Sequence, residues 1–261
     1  MANPRPHRRR LVGVSTKMYF SAARTASYLT SLLDLLAQHQ GPELTSLDIF
    51  FIPDLLTVAP SAARLSSSSV LLGAQDCAPH PHGPYTGEVS PAVLAELGVR
   101  FVELGHAERR RLFGETDADV AAKAAAVVAC GMVPLVCVGE VDRRGVDEAV
   151  DEVMAQVRGV LEAVGGEAEV VLAYEPVWAI GAEAPAGVEH VVGVVGRVRG
   201  SREVEGRKGG VRIVYGGSAG PGLFGRLGGE VDGLFLGRFA HEPEQFYKTI
   251  CEVAEGGGEG E

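Results

Sequence analysis

Short apolar runs alternate along the chain with longer stretches in which apolar residues recur at helical spacing. The short runs predict buried strands, which fall at residues 11–15, 47–52, 71–75, 101–104, 133–138, 170–173, 211–215 and 233–236. The helical spacing predicts helices, of which the main ones fall at residues 21–38, 90–97, 117–130, 147–164, 188–199 and 243–254. Strands that are apolar on both faces are typical of a parallel sheet covered by helices.

Eight such units in 261 residues favour one closed (β/α)8 barrel, a TIM barrel, over an open doubly wound sheet. No change in composition indicates a second domain, so residues 1–261 are expected to form a single domain. The ends near residues 1–9 and 255–261 are expected to be disordered, because the first is basic and rich in proline and the second consists of glycine and glutamate.

The amino-acid composition limits which partners and which cellular location are expected. A net charge of −10 argues against nucleic acid and against an anionic membrane surface as partners. No apolar run approaches the roughly 18 residues that span a bilayer. The four cysteines lack CxxC spacing and are expected to be reduced, partly buried thiols without a metal or disulfide role, with Cys137 on the fifth strand as a buried packing residue. These features indicate a cytoplasmic protein.

Four features follow predicted strands at the edge where barrel proteins carry their chemistry. Lys17 follows the first strand, His106 the fourth and Glu175 the sixth, and the glycine-rich turn Gly216–Ser218 follows the seventh. Taken singly, a lysine is usually a solvated charge, a histidine or glutamate at a strand end is usually structural, and glycine turns are common. Their coincidence on one rim favours an active site.

The sequence resembles the triosephosphate isomerase family. The resemblance rests on segments in the family's order along most of the chain, above all His-x-Glu-Arg-Arg at 106–110 and Tyr-Glu-Pro-Val-Trp-Ala-Ile-Gly at 174–181. Further matches are Lys17-Met18, Ala74–Cys77, Tyr85–Ser90, Phe113–Thr116 and Tyr215–Ser218.

The resemblance implies interconversion of a phosphorylated ketose and aldose through an enediolate. It makes Glu175 the base that moves the proton, and it makes neutral His106 and cationic Lys17 the groups that stabilise charge on oxygen. It assigns Glu108 to positioning Lys17. No metal or organic cofactor is implied.

The same resemblance implies a phosphate site and a lid. Backbone N–H groups at Gly181, at Ser218 and in the turn after strand eight, at Gly237, are expected to hold the substrate phosphate. The lid begins at Pro176, Val177 and Trp178 and is expected to exclude water. The connection 77–88 matches a loop that docks into a second subunit, with Thr86 near the partner's site, which implies a homodimer; an exposed loop without a partner is the alternative.

Three departures from the family's pattern lie near the substrate. Ser15 stands where the family has asparagine, and leaves room. The lid continues Gly181-Ala182-Glu183-Ala184-Pro185 in place of Gly-Thr-Gly-Lys-Thr and is interpreted as shortened. Arg238 stands where the family has a second glycine, and three interpretations are open: it contacts the phosphate through two N–H groups, fills part of the phosphate space, or turns outward.

Triosephosphate isomerase activity is therefore the leading hypothesis, on dihydroxyacetone phosphate and glyceraldehyde 3-phosphate in glycolysis and gluconeogenesis. The first alternative is an isomerase of a tetrulose phosphate such as erythrulose phosphate, which extra room at Ser15 would favour. The second alternative is a non-catalytic phosphate-binding paralogue, against which the joint retention of Lys17, His106 and Glu175 counts.

Overall fold

The computed structural model describes residues 9–38, 42–182 and 184–256. Most of the two ends that the sequence predicts to be disordered, residues 1–8 and 257–261, and Glu183 of the predicted lid lie outside the described residues. At the margins of those ends, the Arg9 side chain pairs with Asp48, and the last helix continues to Glu255.

Eight parallel strands form a closed barrel in chain order, with the last strand paired to the first. They are β1 (Arg10–Ser15), β2 (Leu47–Ile52), β3 (Val70–Ala74), β4 (Phe101–Leu104), β5 (Val133–Val138), β6 (Val170–Tyr174), β7 (Val211–Gly217) and β8 (Gly233–Leu236). Each strand begins and ends within two residues of its prediction. The predicted (β/α)8 barrel is therefore confirmed.

Helices surround the barrel. They are α1 (Ala22–Gln38), α2 (Pro42–Thr45), α3 (Val58–Leu65), α4 (Pro91–Glu96), α5 (Ala107–Phe113), α6 (Asp117–Ala129), α7 (Val146–Val164), α8 (Val188–Arg199), α9 (Arg202–Glu205) and α10 (Pro243–Glu255). Side-chain caps explain two of the starts: Ser21 accepts a hydrogen bond from the N–H of Arg24, and Thr116 forms a capping box with Asp119.

The core has two layers because each strand points alternate side chains to opposite faces. One layer lies between the strands and the helices and contains most of the buried valines and leucines. The other fills the barrel and includes Leu11, Phe50, Phe101, Leu135 and Cys137. Cys137 is buried there as predicted. Every second residue of a strand therefore faces the barrel interior, and the last of these inward-facing residues lies at the mouth of the barrel.

Candidate active site

A pocket of about 880 Å³ opens at the carboxyl-terminal mouth of the barrel. Most of the residues predicted from the sequence line it, namely Ser15, Lys17, His106, Glu108, Glu175, Val177, Gly181, Ser218, Gly237 and Arg238. Pro176, Trp178 and Thr86 are not among the lining residues. The structure therefore brings together the side chains that the sequence placed after separate strands.

Glu175 follows β6 directly and is buried inside the mouth of the barrel, 6% exposed. Two glycines leave space for it, one in β7 and one directly after β5. A Cβ atom on Gly216 would come within 2.2 Å of the Glu175 Oε1 atom, and one on Gly139 would come within 2.0 Å of the Glu175 carbonyl oxygen. Any other residue at either position would displace the carboxylate or the backbone that carries it.

His106 follows β4 and is the N-cap of α5. Its Nδ1 atom accepts a hydrogen bond from the N–H of Glu108 at 3.1 Å, so the ring proton lies on Nε2. Nε2 is 3.5 Å from Glu175 Oε2, inside the pocket. Burial and then the charge of Lys17 lower the pKa of His106 to about 4. The imidazole is consequently neutral near pH 7 and presents an N–H to the pocket, as the sequence predicted.

Lys17 follows β1 and carries the fixed positive charge of the site. Its ammonium group is 2.7 Å from Glu108 Oε1, the contact that the resemblance implies. Burial alone would lower the pKa of Lys17, but the carboxylates of Glu108, Glu175 and Glu103 raise it above its ordinary value. Among the described residues other than glycine, Lys17 alone has a positive φ, 46°. Its carbonyl oxygen accepts a hydrogen bond from the Gln75 side chain at 2.8 Å, which holds this backbone in place.

Two carboxyl groups lie inside the mouth of the barrel, and the sequence analysis singled out only one of them. Burial raises the pKa of Glu175 to about 7, although the positive charge of Lys17 opposes the rise. Burial, with the charge of Glu175, raises the pKa of Glu103 to about 8. Near pH 7 the site therefore holds one carboxyl group that can accept a proton and one that is mostly protonated.

The segment after Glu175, which is the predicted lid, is fixed at its first turn by a buried carboxylate, Glu140. This side chain accepts hydrogen bonds from the Trp178 indole N–H at 2.8 Å and the Tyr174 hydroxyl at 3.1 Å, and it lies 2.8 Å from His190 Nε2. The turn Val177–Ala179 follows Pro176 and carries the indole. Trp178 thus contributes to the attachment of the lid and not to the lining of the pocket.

The residues predicted to bind the phosphate lie on the loops after β6, β7 and β8. Gly181 has a positive φ of 74°, which favours glycine. The Ser218 hydroxyl donates to the Ala182 carbonyl at 2.8 Å, and so joins two of these loops. Gly237 precedes the turn Arg238–His241. The Arg238 side chain lines the pocket, and its Nη2 atom would be 3.7 Å from a Cβ on Gly181. Arg238 is exposed at the rim of the pocket, and the three interpretations of its role stay open.

Glu103 and Glu140 are the two site carboxylates that the sequence analysis did not single out. Glu103 had a detectable signal, because it is the one charged residue in an otherwise apolar strand, Phe101–Leu104. Glu140 had none, since its partners come from positions 174, 178 and 190.

Metal sites and membrane-spanning helices are absent from the residues that the structure describes. Within them, no group of three or more His, Cys, Asp or Glu side chains is arranged to hold a metal ion. Over the same ranges, no helix has both the length and the apolar character that crossing a membrane requires.

Comparison with known proteins identifies the family to which the chain is similar. A sequence model of the triosephosphate isomerase family matches residues 10–254. An L-erythrulose-1-phosphate isomerase of Pectobacterium atrosepticum is 43% identical over 249 residues, covering 94% of this chain and 96% of the relative. A second enzyme of that name, from Rhizobium etli, is 38% identical, covering 93% of this chain and 92% of the relative. A triosephosphate isomerase of Deinococcus radiodurans is also 38% identical, covering 87% of this chain and 92% of the relative.

Proposed function

Because the chain belongs to the triosephosphate isomerase family and is an isomerase, we propose that it moves the carbonyl group of a four-carbon ketose phosphate of the erythrulose 1-phosphate type. Such a substrate carries the phosphate on C1, the carbonyl on C2, a hydroxyl on C3 and a hydroxymethyl group as C4. The reaction transfers a proton from C3 to C2 and returns an isomeric sugar phosphate. It is redox-neutral overall and requires no cofactor.

Glu175 is the proposed proton carrier. It removes the C3 proton as a carboxylate, and the resulting carboxylic acid delivers a proton to C2. A pKa of about 7 suits both halves of this task, because neither the charged nor the neutral form is strongly disfavoured at neutral pH.

His106 and Lys17 are proposed to stabilise the enediolate between the two transfers. The neutral imidazole donates its Nε2–H to the oxygen on which charge develops, and the Lys17 ammonium adds a fixed positive charge. Glu108 orients Lys17 through their contact of 2.7 Å. Because Glu108 is paired with Lys17, it is not a second base.

The phosphate is proposed to bind the backbone N–H groups of Gly181, Ser218 and Gly237, with Arg238 adding a charge-assisted contact from the rim. The lid, attached through Trp178, excludes water from the enediolate. That this lid is shorter than the lid of the family stays a prediction.

The observation that carries the choice of a four-carbon substrate is the polar floor of the pocket. Ser15 and Glu103 line it and are 3% exposed. Among the described residues, the buried Glu103 Oε2 atom has no hydrogen-bond partner, and the Ser15 hydroxyl has none other than Glu103. A substrate with one more hydroxyl group than a triose phosphate would use such atoms. The two relatives named L-erythrulose-1-phosphate isomerase support the same choice.

Triosephosphate isomerase activity, the leading hypothesis from the sequence, is the second candidate. The proton-transfer residues would serve a triose phosphate equally well, and the Deinococcus radiodurans relative is named for that reaction. In that case the enzyme would act in glycolysis and gluconeogenesis. The non-catalytic alternative does not fit a member of a family whose relatives are named isomerases.

Steady-state kinetics on the two substrates tests the proposal. We expect kcat/KM for erythrulose 1-phosphate to exceed that for dihydroxyacetone phosphate by about 100-fold, with the carbonyl shift followed by ¹³C NMR. Glu175→Gln is the control for contaminating isomerase from the expression host. A ratio in favour of the triose phosphate would replace the first candidate by the second.

We also propose a cytoplasmic homodimer. The loop at positions 81–88, which includes Thr86, is exposed and carries the half-exposed Tyr85 ring stacked on His80. Phe113, 70% exposed, adds apolar surface that a partner subunit would cover. Light scattering coupled to size exclusion should give twice the chain mass, and Thr86→Arg should shift the mass towards that of one chain. A monomeric wild-type protein would contradict this assignment.

A further inference from the structure

Glu103 is a carboxyl group inside a hydrophobic barrel, without a partner that explains it. It lies on β4 two residues after Phe101, which belongs to the barrel interior, and its register partner is Leu135 of the same interior layer. The side chain is 3% exposed. In the part of the chain that the structure describes, Glu103 forms no ion pair within 4.0 Å, and its Oε2 atom has no hydrogen-bond partner.

A buried carboxylate without an ion pair is costly, so this group is expected to hold a proton. The pKa of Glu103 is raised to about 8 by burial and by Glu175, against the opposing effects of Ser15 and Lys17. In this form Glu103 has an O–H donor as well as an acceptor oxygen. A structural role would satisfy these atoms within the protein, whereas the unpaired oxygen here lies at a pocket wall.

Ser15 supplies a second polar group at the same place. Its buried hydroxyl interacts with the Glu103 side chain through a hydrogen bond that lowers the pKa of that group, and it has no other partner among the described residues. Both residues lie on strands within the mouth of the barrel, whereas Gly181, Ser218 and Gly237 lie in the loops above. A substrate held by its phosphate at those loops, with its reacting carbons at Glu175, would direct its other end towards this floor.

We propose that Glu103, together with Ser15, binds the terminal hydroxyl group of the substrate's fourth carbon and thereby sets the preference for a tetrulose phosphate over a triose phosphate. This assignment rests on the proposed function. Glu103 acts here as a specificity-determining residue and takes no proton from carbon. A triose phosphate leaves the Glu103 Oε2 atom without a partner, and sites that are built to bind a hydroxyl group discriminate strongly against substrates that lack it.

The test compares kcat/KM on erythrulose 1-phosphate and dihydroxyacetone phosphate for the wild type, Glu103→Val, Glu103→Gln and Leu135→Val. Valine removes the polar group and retains a residue that suits a strand. We expect it to lower kcat/KM for the tetrulose about 100-fold and that for the triose far less. Glutamine, which keeps a donor and an acceptor, should preserve most of the preference.

Leu135→Val is the matched packing control. Leu135 is fully buried beside Glu103 in the barrel but does not line the pocket, so its truncation should change both substrates by the same factor. If Glu103→Val fails to fold, Ser15→Ala takes its place, with an expected loss of about tenfold for the tetrulose and a smaller loss for the triose.

Two results would overturn the assignment in distinguishable ways. Equal losses on both substrates in Glu103→Val, with a wild type that prefers the tetrulose, would show that Glu103 is structural and leave the proposed function intact. A wild type that turns over only the triose phosphate would overturn the proposed function, and the role of Glu103 with it.

Discussion

Replacing Glu103 by glutamine removes a proton-binding group from the barrel interior and keeps nearly the same shape. Burial raises the pKa of this carboxyl from its ordinary value near 4.5 to about 8 in the folded protein. The folded state therefore holds a proton that the unfolded chain has lost throughout that interval. It follows that the free energy of unfolding of the wild type falls as pH rises from about 4.5 to about 8, and that the glutamine variant lacks this contribution.

The size of the effect follows from the two pKa values. Each pH unit inside the interval costs about 1.4 kcal/mol, and the cost levels off above the folded pKa. Between about pH 6 and about pH 8.5 the wild type should lose about 2.5 kcal/mol relative to Glu103→Gln. The lower limit is set by the isoelectric point near 5.3, where the protein is least soluble. Glu175, whose pKa is also raised, titrates in both proteins, and its charge contributes to the raised pKa of Glu103 in the wild type.

Reversible urea unfolding at several pH values within this range provides the assay. Both proteins are measured at one protein concentration, because a dimer's apparent stability depends on concentration. The difference between the two free energies should widen with pH, while a constant offset reflects only the exchange of one side chain for another. Parallel pH profiles would show that Glu103 is not protonated in the folded state and would refute the reasoning about its environment.

Three further predictions concern the proton-transfer machinery and the phosphate site. Glu175→Gln should lower kcat by about 10³-fold with a small change in KM, as measured by steady-state kinetics; an active variant would exclude Glu175 as the base. In ¹⁵N NMR spectra, His106 should keep the shifts of a neutral imidazole down to about pH 5, because its pKa is lowered to about 4. A midpoint near 6.5 would contradict this assignment. Arg238→Gly should raise KM about tenfold with little change in kcat, because the charge contacts the phosphate in ground state and transition state alike; an unchanged KM would assign Arg238 no phosphate contact.

The positions of Lys17, His106 and Glu175 could be predicted from the sequence because a parallel barrel brings all strand ends to one edge. Locating three apolar runs was therefore enough to place three side chains in one pocket. The helix α3 was not predicted, since Pro60 in its first turn interrupts the helical pattern that the sequence analysis relied on. This omission had no effect on the site, which depends on the strands.

Glu103 illustrates what the sequence left open. The run Phe101–Leu104 correctly predicted a strand, but a strand buried on both faces gives no alternation from which to read inward and outward positions. Only the pairing of Glu103 with Leu135 and the membership of Phe101 in the interior layer show that the carboxyl group faces the barrel. The protonation of Glu103 likewise depends on burial and on neighbours from other strands, which the order of residues does not reveal.

The left-handed backbone of Lys17 lowers the stability of the fold at a position where the side chain is part of the candidate site. A side chain at a φ of 46° costs roughly 1 kcal/mol relative to glycine, which adopts this conformation freely. Selection for a robust fold alone would favour glycine at position 17, and a stabilisation scheme that considers only backbone conformation would recommend that exchange. The exchange would remove the ammonium group that we propose stabilises the enediolate. An engineer seeking a heat-resistant form of this enzyme should therefore leave this one strained residue untouched.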